Sequence, residues 1–419
     1  MRPLRTRGAL AAIAAAAGGI AAALALLPPS GPAPTDAEPA ADAAPAGAAS
    51  GPWLTGYWHN FDNGSTTMPL SEVPSEYTMV AVAFADNLAG TPGGITFDLA
   101  SDELGGYTEQ QFKDDIAAMR AEGRKVVISV GGEKGHVDVT NPEQAAGFAR
   151  SAHALMQEYG FDGVDIDLEH GMNAQYMEDA LRDLHSRAGD GLVITMAPQT
   201  IDFQAPSYAY YRLAESIPDI LTIVNMQYYN SGAMMGCDQQ VYSQGTVDFL
   251  TAQACIQLEL GLRPDQVGLG LPATPQAAGG GHQPTSNVIA ALDCLETGTG
   301  CGSFTPSQPY GPIGGVMTWS INWDATNGYR FAKDISARLG GGPGPDPTPT
   351  PTASESPSPS PSPTGTAEPC TEPAWDPDTV YTGGDRVAYE GTVYEARHWT
   401  RGDTPQHSQW GPWKAVGAC

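Results

Sequence analysis

Phe161-Asp162-Gly163-Val164-Asp165-Ile166-Asp167-Leu168-Glu169-His170 is the stretch on which the reading of this 419-residue chain turns. Asp165, Asp167 and Glu169 fall at i, i+2 and i+4. In an extended strand alternate side chains share one face, so the three carboxyl groups line up together. Like charges at short range raise at least one pKa, and one of these acids is expected to hold a proton near neutral pH. A protonated carboxyl beside an ionised one suits proton transfer to and from a glycosidic oxygen. Two other uses stay open. The acids can cap the next helix, or three carboxylates can bind Ca²⁺ or Mg²⁺. Val164, Ile166 and Leu168 are apolar at every alternate position, so the opposite face reads as packed. That pattern suits a central strand whose carboxylates emerge at its end.

Outward from that strand, residues 51–340 alternate short apolar β-rich runs with helical patterns, the sign of a parallel α/β fold. The strand candidates are Leu54–Trp58, Met79–Phe84, Lys125–Val130, Gly163–Ile166, Leu192–Ala197, Leu221–Gln227, Val267–Leu271 and Val316–Ser320. Eight strands close a (β/α)8 TIM barrel, and about 290 residues is a usual length for one. The clearest helices are Thr108–Glu122 and Pro142–Tyr159. The second opens with Asn141 as N-cap, Pro142 at the first position and Gln144 at the third. A doubly wound open sheet is the rival, but no phosphate-binding glycine-rich turn follows Leu54–Trp58.

Asp162-Gly163-Val164-Asp165-Ile166-Asp167-Leu168-Glu169 resembles the D-G-x-D-x-D-x-E signature of the family-18 glycoside hydrolases, in particular the hevamine-like and bacterial chitinase-D-like branch. Barrel active sites sit at the C-terminal ends of strands, where further residues of the same resemblance fall. Ser129-Val130-Gly131-Gly132 resembles the family's S-x-G-G. Gln227-Tyr228-Tyr229-Asn230 resembles its M-x-Y-D in the Q-x-Y-N form, which puts Tyr229 at the position that contacts the reacting acetamido group. Tyr228 points to the opposite face and would swap with Tyr229 under a one-residue slip. Trp319 matches the Trp that floors the cleaved sugar's subsite, where a flat indole suits the apolar face of a pyranose. Tyr57, Phe84, Met196, Gln199, Gln227 and Asn230 are the other expected sugar contacts, with Met196 equally a candidate for core. Gln227 and Asn230 depart from the M and D of the commoner motif.

The resemblance implies a reaction. Ordinary retaining hydrolysis needs a second carboxylate across the bond, about 5 Å from the acid, and three acids on one strand face do not straddle a bond. Family 18 is a substrate-assisted exception, in which the substrate's N-acetyl oxygen attacks the anomeric carbon. The resemblance assigns Glu169 to protonate the leaving oxygen and then activate water. It assigns Asp167 to orient the acetamido group, Asp165 to share a proton with Asp167, and Tyr229 to donate to the acetamido oxygen. Asp162 reads as structural. Such a mechanism demands a 2-acetamido sugar, hence chitin and chitooligosaccharides. The alternatives are an endo-β-N-acetylglucosaminidase acting on glycoprotein glycans and a non-catalytic chitin-binding lectin. Such lectins usually lose the signature Glu, which is present here.

Charge and composition agree. Lys+Arg number 20 and Asp+Glu 47, for a formal net charge of −27, which argues against nucleic acid or anionic membrane as partners. Arg2, Arg5 and Arg7 precede an uncharged Ala/Leu-rich run from Gly8 to Leu27, the pattern of a secretory signal; a membrane anchor is the rival reading. Residues 1–50 are therefore expected to be a signal peptide and an Ala/Pro-rich segment, and the protein a secreted, extracellular monomer free of the membrane after cleavage. Six cysteines in an exported chain suggest disulfides. Proximity favours Cys237–Cys255, Cys294–Cys301 and Cys370–Cys419. None of the spacings resembles a zinc site, and no metal or cofactor is expected.

After residue 340 the composition changes to Pro, Ser, Thr and Gly, so 341–369 reads as a semi-rigid linker. Residues 370–419 crowd seven Trp and Tyr into a short segment with a cysteine at each end. Ala374-Trp375, Tyr381 to Val387, Tyr389-Glu390-Gly391, Tyr394 to Arg397 and Trp399 to Asp403 resemble the family 5/12 chitin-binding modules, small all-β domains. The usual Trp-Trp pair reads His398-Trp399 here. Trp375 and Tyr394 are expected in the core, and Trp399, Trp410 and His398 on the binding face.

Overall fold

The computed structural model describes residues 52–340 apart from Gly171, and also 372–376, 379, 381, 384–397, 400, 404–405 and 413–418. The N-terminal segment, the linker, Cys370, His398, Trp399, Trp410 and Cys419 lie outside the described residues.

Eight parallel strands form the barrel. They are β1 Trp53–His59, β2 Met79–Asn87, β3 Lys125–Gly131, β4 Gly163–Asp167, β5 Val193–Met196, β6 Ile223–Gln227, β7 Val267–Pro272 and β8 Gly315–Trp319. Each pairs with the next, and β1 pairs with both β2 and β8, which closes the ring. All eight overlap the segments expected from sequence. Around them lie α1 Glu109–Ala121, α2 Pro142–Tyr159, α3 Ala174–Ala188, α4 Ala209–Ser216, α5 Val247–Leu260, α6 Thr285–Thr297, α7 Ile321–Thr326 and α8 Arg330–Leu339. Among the described residues no helix is long and apolar enough to cross a membrane.

Strand alternation sorts side chains into two cores. Leu54, Trp58, Val82, Ile128, Val164 and Ile166 face the helices in a large outer cluster. Tyr57, Met79, Ala81, Ala83, Val127 and Met317 fill a smaller cluster inside the ring. Burying each large apolar side chain contributes ~1.5–3 kcal/mol, so the outer layer supplies most of the barrel's stabilisation. The helix ends follow their sequence signals. Asn141 Oδ1 accepts from the Gln144 backbone N–H at 3.0 Å, and Gly160 closes α2 at φ 83°, which suits a residue without Cβ. Thr108 and Gln111 form a capping box on α1.

Two details depart from the sequence reading. Strand β4 runs to Asp167, one residue past the expected Gly163–Ile166, and Glu169 stands two residues beyond it on the loop toward α3. The loop after β6 carries a hairpin, Ala233–Met235 paired with Val241–Ser243, that periodicity did not indicate. Cys237–Cys255 and Cys294–Cys301 are disulfide-bonded, as proximity suggested. Near the C-terminus Arg386–Tyr389, Thr392–Ala396 and Trp413–Ala418 make an antiparallel sheet. Its core is Tyr381, Val387, Ala396 and Trp413, with Trp375 and Tyr394 half-buried against it.

Candidate active site

The acids stand where β4 leaves the barrel, held by side chains from the strands around them. Asp165 is buried inside the ring. Its Oδ2 accepts from Tyr57 OH of β1 at 2.7 Å and Ser129 Oγ of β3 at 2.6 Å, and its Oδ1 accepts from Thr195 Oγ1 of β5 at 2.6 Å. Burial raises its pKa, and the three hydroxyl donors pull it back. Asp167 comes next on the same face. Burial holds it well above the usual carboxylate range, reinforced by the charges of Asp165 and then Glu169 and opposed by the Gln227 amide. Glu169 is half-buried at the opening and is raised by burial, against the pull of Gln227, His170 and Gln199. All three carboxyls are thus held above the ordinary carboxylate range, chiefly by burial.

One carboxamide links the upper pair. Gln227 Nε2 donates to Asp167 Oδ1 at 2.9 Å and lies 3.4 Å from Glu169 Oε1. Gln199 Nε2 reaches Glu169 Oε2 at 3.1 Å. The glycines of Gly131-Gly132 have a clear local cause. A β-carbon at Gly131 (φ 122°) would collide with the Asp167 carbonyl, and one at Gly132 would collide with the Phe84 ring. Their absence lets the Gly132 N–H donate to Asp167 O at 2.8 Å. Tyr210 of α4 steadies the strand end from outside, with its hydroxyl 3.2 Å from the carbonyls of both Ile166 and Leu168.

Tyr229 and Tyr228 separate as alternation requires. Tyr228 turns outward, where Gln257 Nε2 of α5 donates to its hydroxyl at 2.8 Å. Tyr229 turns inward. Burial and the charges of Asp167, Glu169 and Asp165 raise its pKa well above the ordinary tyrosine value, so it stays a hydroxyl donor. Trp319 and Phe84 are half-buried and stacked with ring centroids 5.9 Å apart; the Tyr57 ring meets Trp319 edge-on at 5.5 Å.

Several expected sugar contacts sit elsewhere. Of the two roles open to Met196, sugar contact is corrected and core holds: it shares parity with Ile194, not with Thr195 and Ala197, and is fully buried in the outer core. Tyr57 is only 1% exposed and meets Asp165 rather than the opening. Asn230 is exposed, at φ 52°, and its Oδ1 accepts from the Gly280 N–H at 3.2 Å while its own N–H donates to Gly280 O at 3.1 Å. Asp162 takes Arg120 at 3.1 Å, Lys125 at 3.3 Å and the Val126 N–H at 3.0 Å, away from the acid row.

Sequence reasoning missed three neighbours. His59 is wholly buried between Phe61 and Trp319, and burial lowers its pKa to about 3, so it is neutral. Asp202 accepts from the Gln199 N–H at 3.0 Å, and burial raises its pKa to about 6. Thr195 had no motif to flag it. Among the described residues the one grouping with metal-ligand spacing is Cys237, Cys255 and Glu259, and its two sulfurs are joined to each other.

The profile of the Glycosyl hydrolases family 18 matches residues 54–334. The chain belongs to that family. The Carbohydrate-binding module family 5/12 profile matches residues 374–414. Chitinase D of Niallia circulans is 36% identical over 319 residues, which cover 67% of this chain and 60% of that protein. The chain thus spans less than two thirds of that relative's length. A crystal structure from Streptomyces coelicolor, provisionally titled chitinase A, shares 58% identity with TM-score 0.68, covering 69% of this chain and 98% of that one. A family-18 chitinase structure from Chromobacterium violaceum shares 35% identity with TM-score 0.64, covering 68% and 83%.

Proposed function

We propose that this chain is a chitinase. It hydrolyses β-1,4 bonds between N-acetylglucosamine units by a retaining, substrate-assisted route. The observation that carries the reading is the acid row itself: three buried or half-buried carboxyls in file, the upper two joined by the Gln227 amide, with Tyr229 within reach of their charge. The three acids stand in file on one face at one strand end, which suits the family's substrate-assisted route, in which the acetamido group supplies the nucleophile.

In this scheme Glu169 gives its proton to the glycosidic oxygen as the C1–O bond breaks. The acetamido oxygen bonds to C1, and the positive charge spreads onto the amide nitrogen. Asp167 accepts the amide N–H and offsets that charge, while Tyr229 donates to the acetamido oxygen. Glu169, now a carboxylate, takes a proton from water, whose oxygen attacks C1 and reopens the ring with retention. Asp165 is pinned by three hydroxyls and holds or releases the proton it shares with Asp167. Trp319 and Phe84 support the reacting sugar, and Gln199 and Gln227 orient Glu169.

The rest of the chain fits a secreted depolymerase. We assign residues 1–50 to a signal and Ala/Pro-rich segment, 51–340 to the catalytic barrel, 341–369 to a linker and 370–419 to a chitin-binding module. The deciding experiment is product analysis on chitin oligomers of defined length with the first anomer recorded by NMR. Initial β-anomer, absent from the Glu169→Gln variant, supports the reading. Initial α-anomer, or no cleavage by the intact chain, overturns it.

A further inference from the structure

His59 closes β1 and shares the inward parity of Trp53 and Tyr57, yet the hydrolase reading gives it no part. It belongs to a closed circuit of four rings. Its imidazole lies 4.5 Å from the Phe61 ring, at 16°, and 4.7 Å from the Trp319 ring, at 43°. Phe61 meets Phe84 at 6.5 Å, and Phe84 meets Trp319 at 5.9 Å. Phe61, Phe84 and Trp319 are half-buried, whereas His59 is 0% exposed. Two of the three open rings therefore touch the closed one.

The hydrogen bonds fix which ring nitrogen carries the proton. Asn63 Oδ1 accepts from the Ser65 N–H at 3.3 Å and from Ser65 Oγ at 2.7 Å. A carboxamide oxygen only accepts, so the one hydroxyl hydrogen of Ser65 is committed there. In the 3.3 Å contact between Ser65 Oγ and His59 Nδ1, the Nδ1–H is then the donor. Burial keeps the ring neutral, with a single N–H, and Nε2 is left as a bare acceptor. That Nε2 is buried without a hydrogen-bond partner among the described residues. Burying an unsatisfied acceptor is unfavourable, and a phenylalanine would fill an aromatic box without that penalty. What phenylalanine lacks is the Nδ1–H. A stacked hydrocarbon ring is free to tilt about χ2, whereas the bond to Ser65 holds the imidazole in one plane.

The backbone is tied on both flanks. The His59 N–H donates to Asn322 Oδ1 at 2.8 Å, and Asn322 Nδ2 donates to Thr66 O at 2.9 Å. Asn322 follows Trp319 by three residues. On the other side the Asn60 N–H donates to Ala83 O at 2.9 Å, next to Phe84. The imidazole thus has a fixed origin and a fixed plane, and the half-buried Trp319 indole leans on it.

We propose that His59 is a positioning residue for sugar binding: anchored through Nδ1–H to Ser65, it sets the tilt of the Trp319 indole that supports the reacting N-acetyl sugar. The proposal rests on the hydrolase reading for the role of Trp319. Three variants test it. Ser65→Ala removes the anchor and leaves both rings, His59→Phe keeps a ring without the donor, and the third combines the two. Affinity for the soluble hexamer of N-acetylglucosamine is read by calorimetry, each time in a Glu169→Gln background that stops turnover; kcat is read in the active chain. Each single change should weaken hexamer binding on the order of 3- to 10-fold, the worth of one hydrogen bond, while kcat falls less than about threefold. The double variant should lose no more than the larger single loss, because both changes remove the same contact. Melting curves confirm folding; should His59→Phe fail to fold, Ser65→Ala still decides, since it leaves the ring stack in place. Unchanged affinity with a lowered melting temperature would make His59 packing only and overturn the proposal. So would additive losses, or a fall in kcat at constant affinity. A hexamer that binds the Glu169→Gln chain but is not cut by the intact chain counts against the hydrolase reading and leaves the positioning role standing; no binding to either sinks both.

Discussion

Replacing Tyr57 with Phe removes one oxygen and keeps the ring. That oxygen donates to Asp165 Oδ2 at 2.7 Å inside the barrel. A hydrogen bond to a charged group contributes ~1.5–3 kcal/mol, and 1.4 kcal/mol is about tenfold in rate, so the ceiling is about 10- to 150-fold. Ser129 still serves Oδ2 and Thr195 still serves Oδ1, each at 2.6 Å, which places the expected loss near the lower end, about 10- to 30-fold. Losing a donor also raises Asp165 further, so the shared proton settles there instead of serving Asp167. Because Tyr57 is 1% exposed, a sugar does not reach it, and the loss should appear in kcat with KM changed less than about twofold. The assay is steady-state hydrolysis of a chromogenic N-acetylglucosamine oligomer, with a melting curve to confirm folding. A raised KM with an intact kcat would refute the reasoning and make Tyr57 a sugar contact.

Other expectations are more direct. Glu169→Gln should cost at least 10²- to 10⁴-fold in kcat while oligosaccharide binding, read by calorimetry, persists. Asn230→Asp keeps an acceptor for the Gly280 N–H and should leave KM nearly unchanged, whereas Asn230→Ala should raise it; loss in both would mean that the Asn230 amide nitrogen touches sugar. Asp167 is held above its unfolded pKa, so its contribution to stability is full below the ordinary carboxylate pKa of about 4 and is lost as pH rises through the native value. Asp167→Asn should therefore raise the melting temperature at neutral pH, with the gain fading toward about pH 4; a gain that grows in acid would contradict the burial argument. Removing residues 341–419 should reduce activity on solid chitin far more than on soluble oligomers, and equal losses would assign the tail another role.

How much of this was legible beforehand depended on range. Short apolar β-rich runs located all eight strands, and Asn141-Pro142 located the start of α2, because both signals are local. The acid row was legible as spacing, and the expected end of β4 at Ile166 fell one residue short of Asp167, since pairing partners set where a strand stops. Met196 was left between sugar contact and core, and burial places it in the core, as its parity with Ile194 indicates. Thr195, His59 and Asp202 carry no motif; Thr195 comes beside Asp165 through the register of β4 with β5, which no local pattern sets. The fastened hairpin at 233–243 was invisible because its strands are too short for periodicity to register.

In the proposed route the sugar's own acetamido oxygen is the nucleophile. Two aryl glycosides with the same leaving group test it, one with an acetamido group at C2 of the reacting sugar and the other with a hydroxyl. The account predicts that the first is cleaved faster by on the order of 10³ or more. Comparable rates on the two would contradict it.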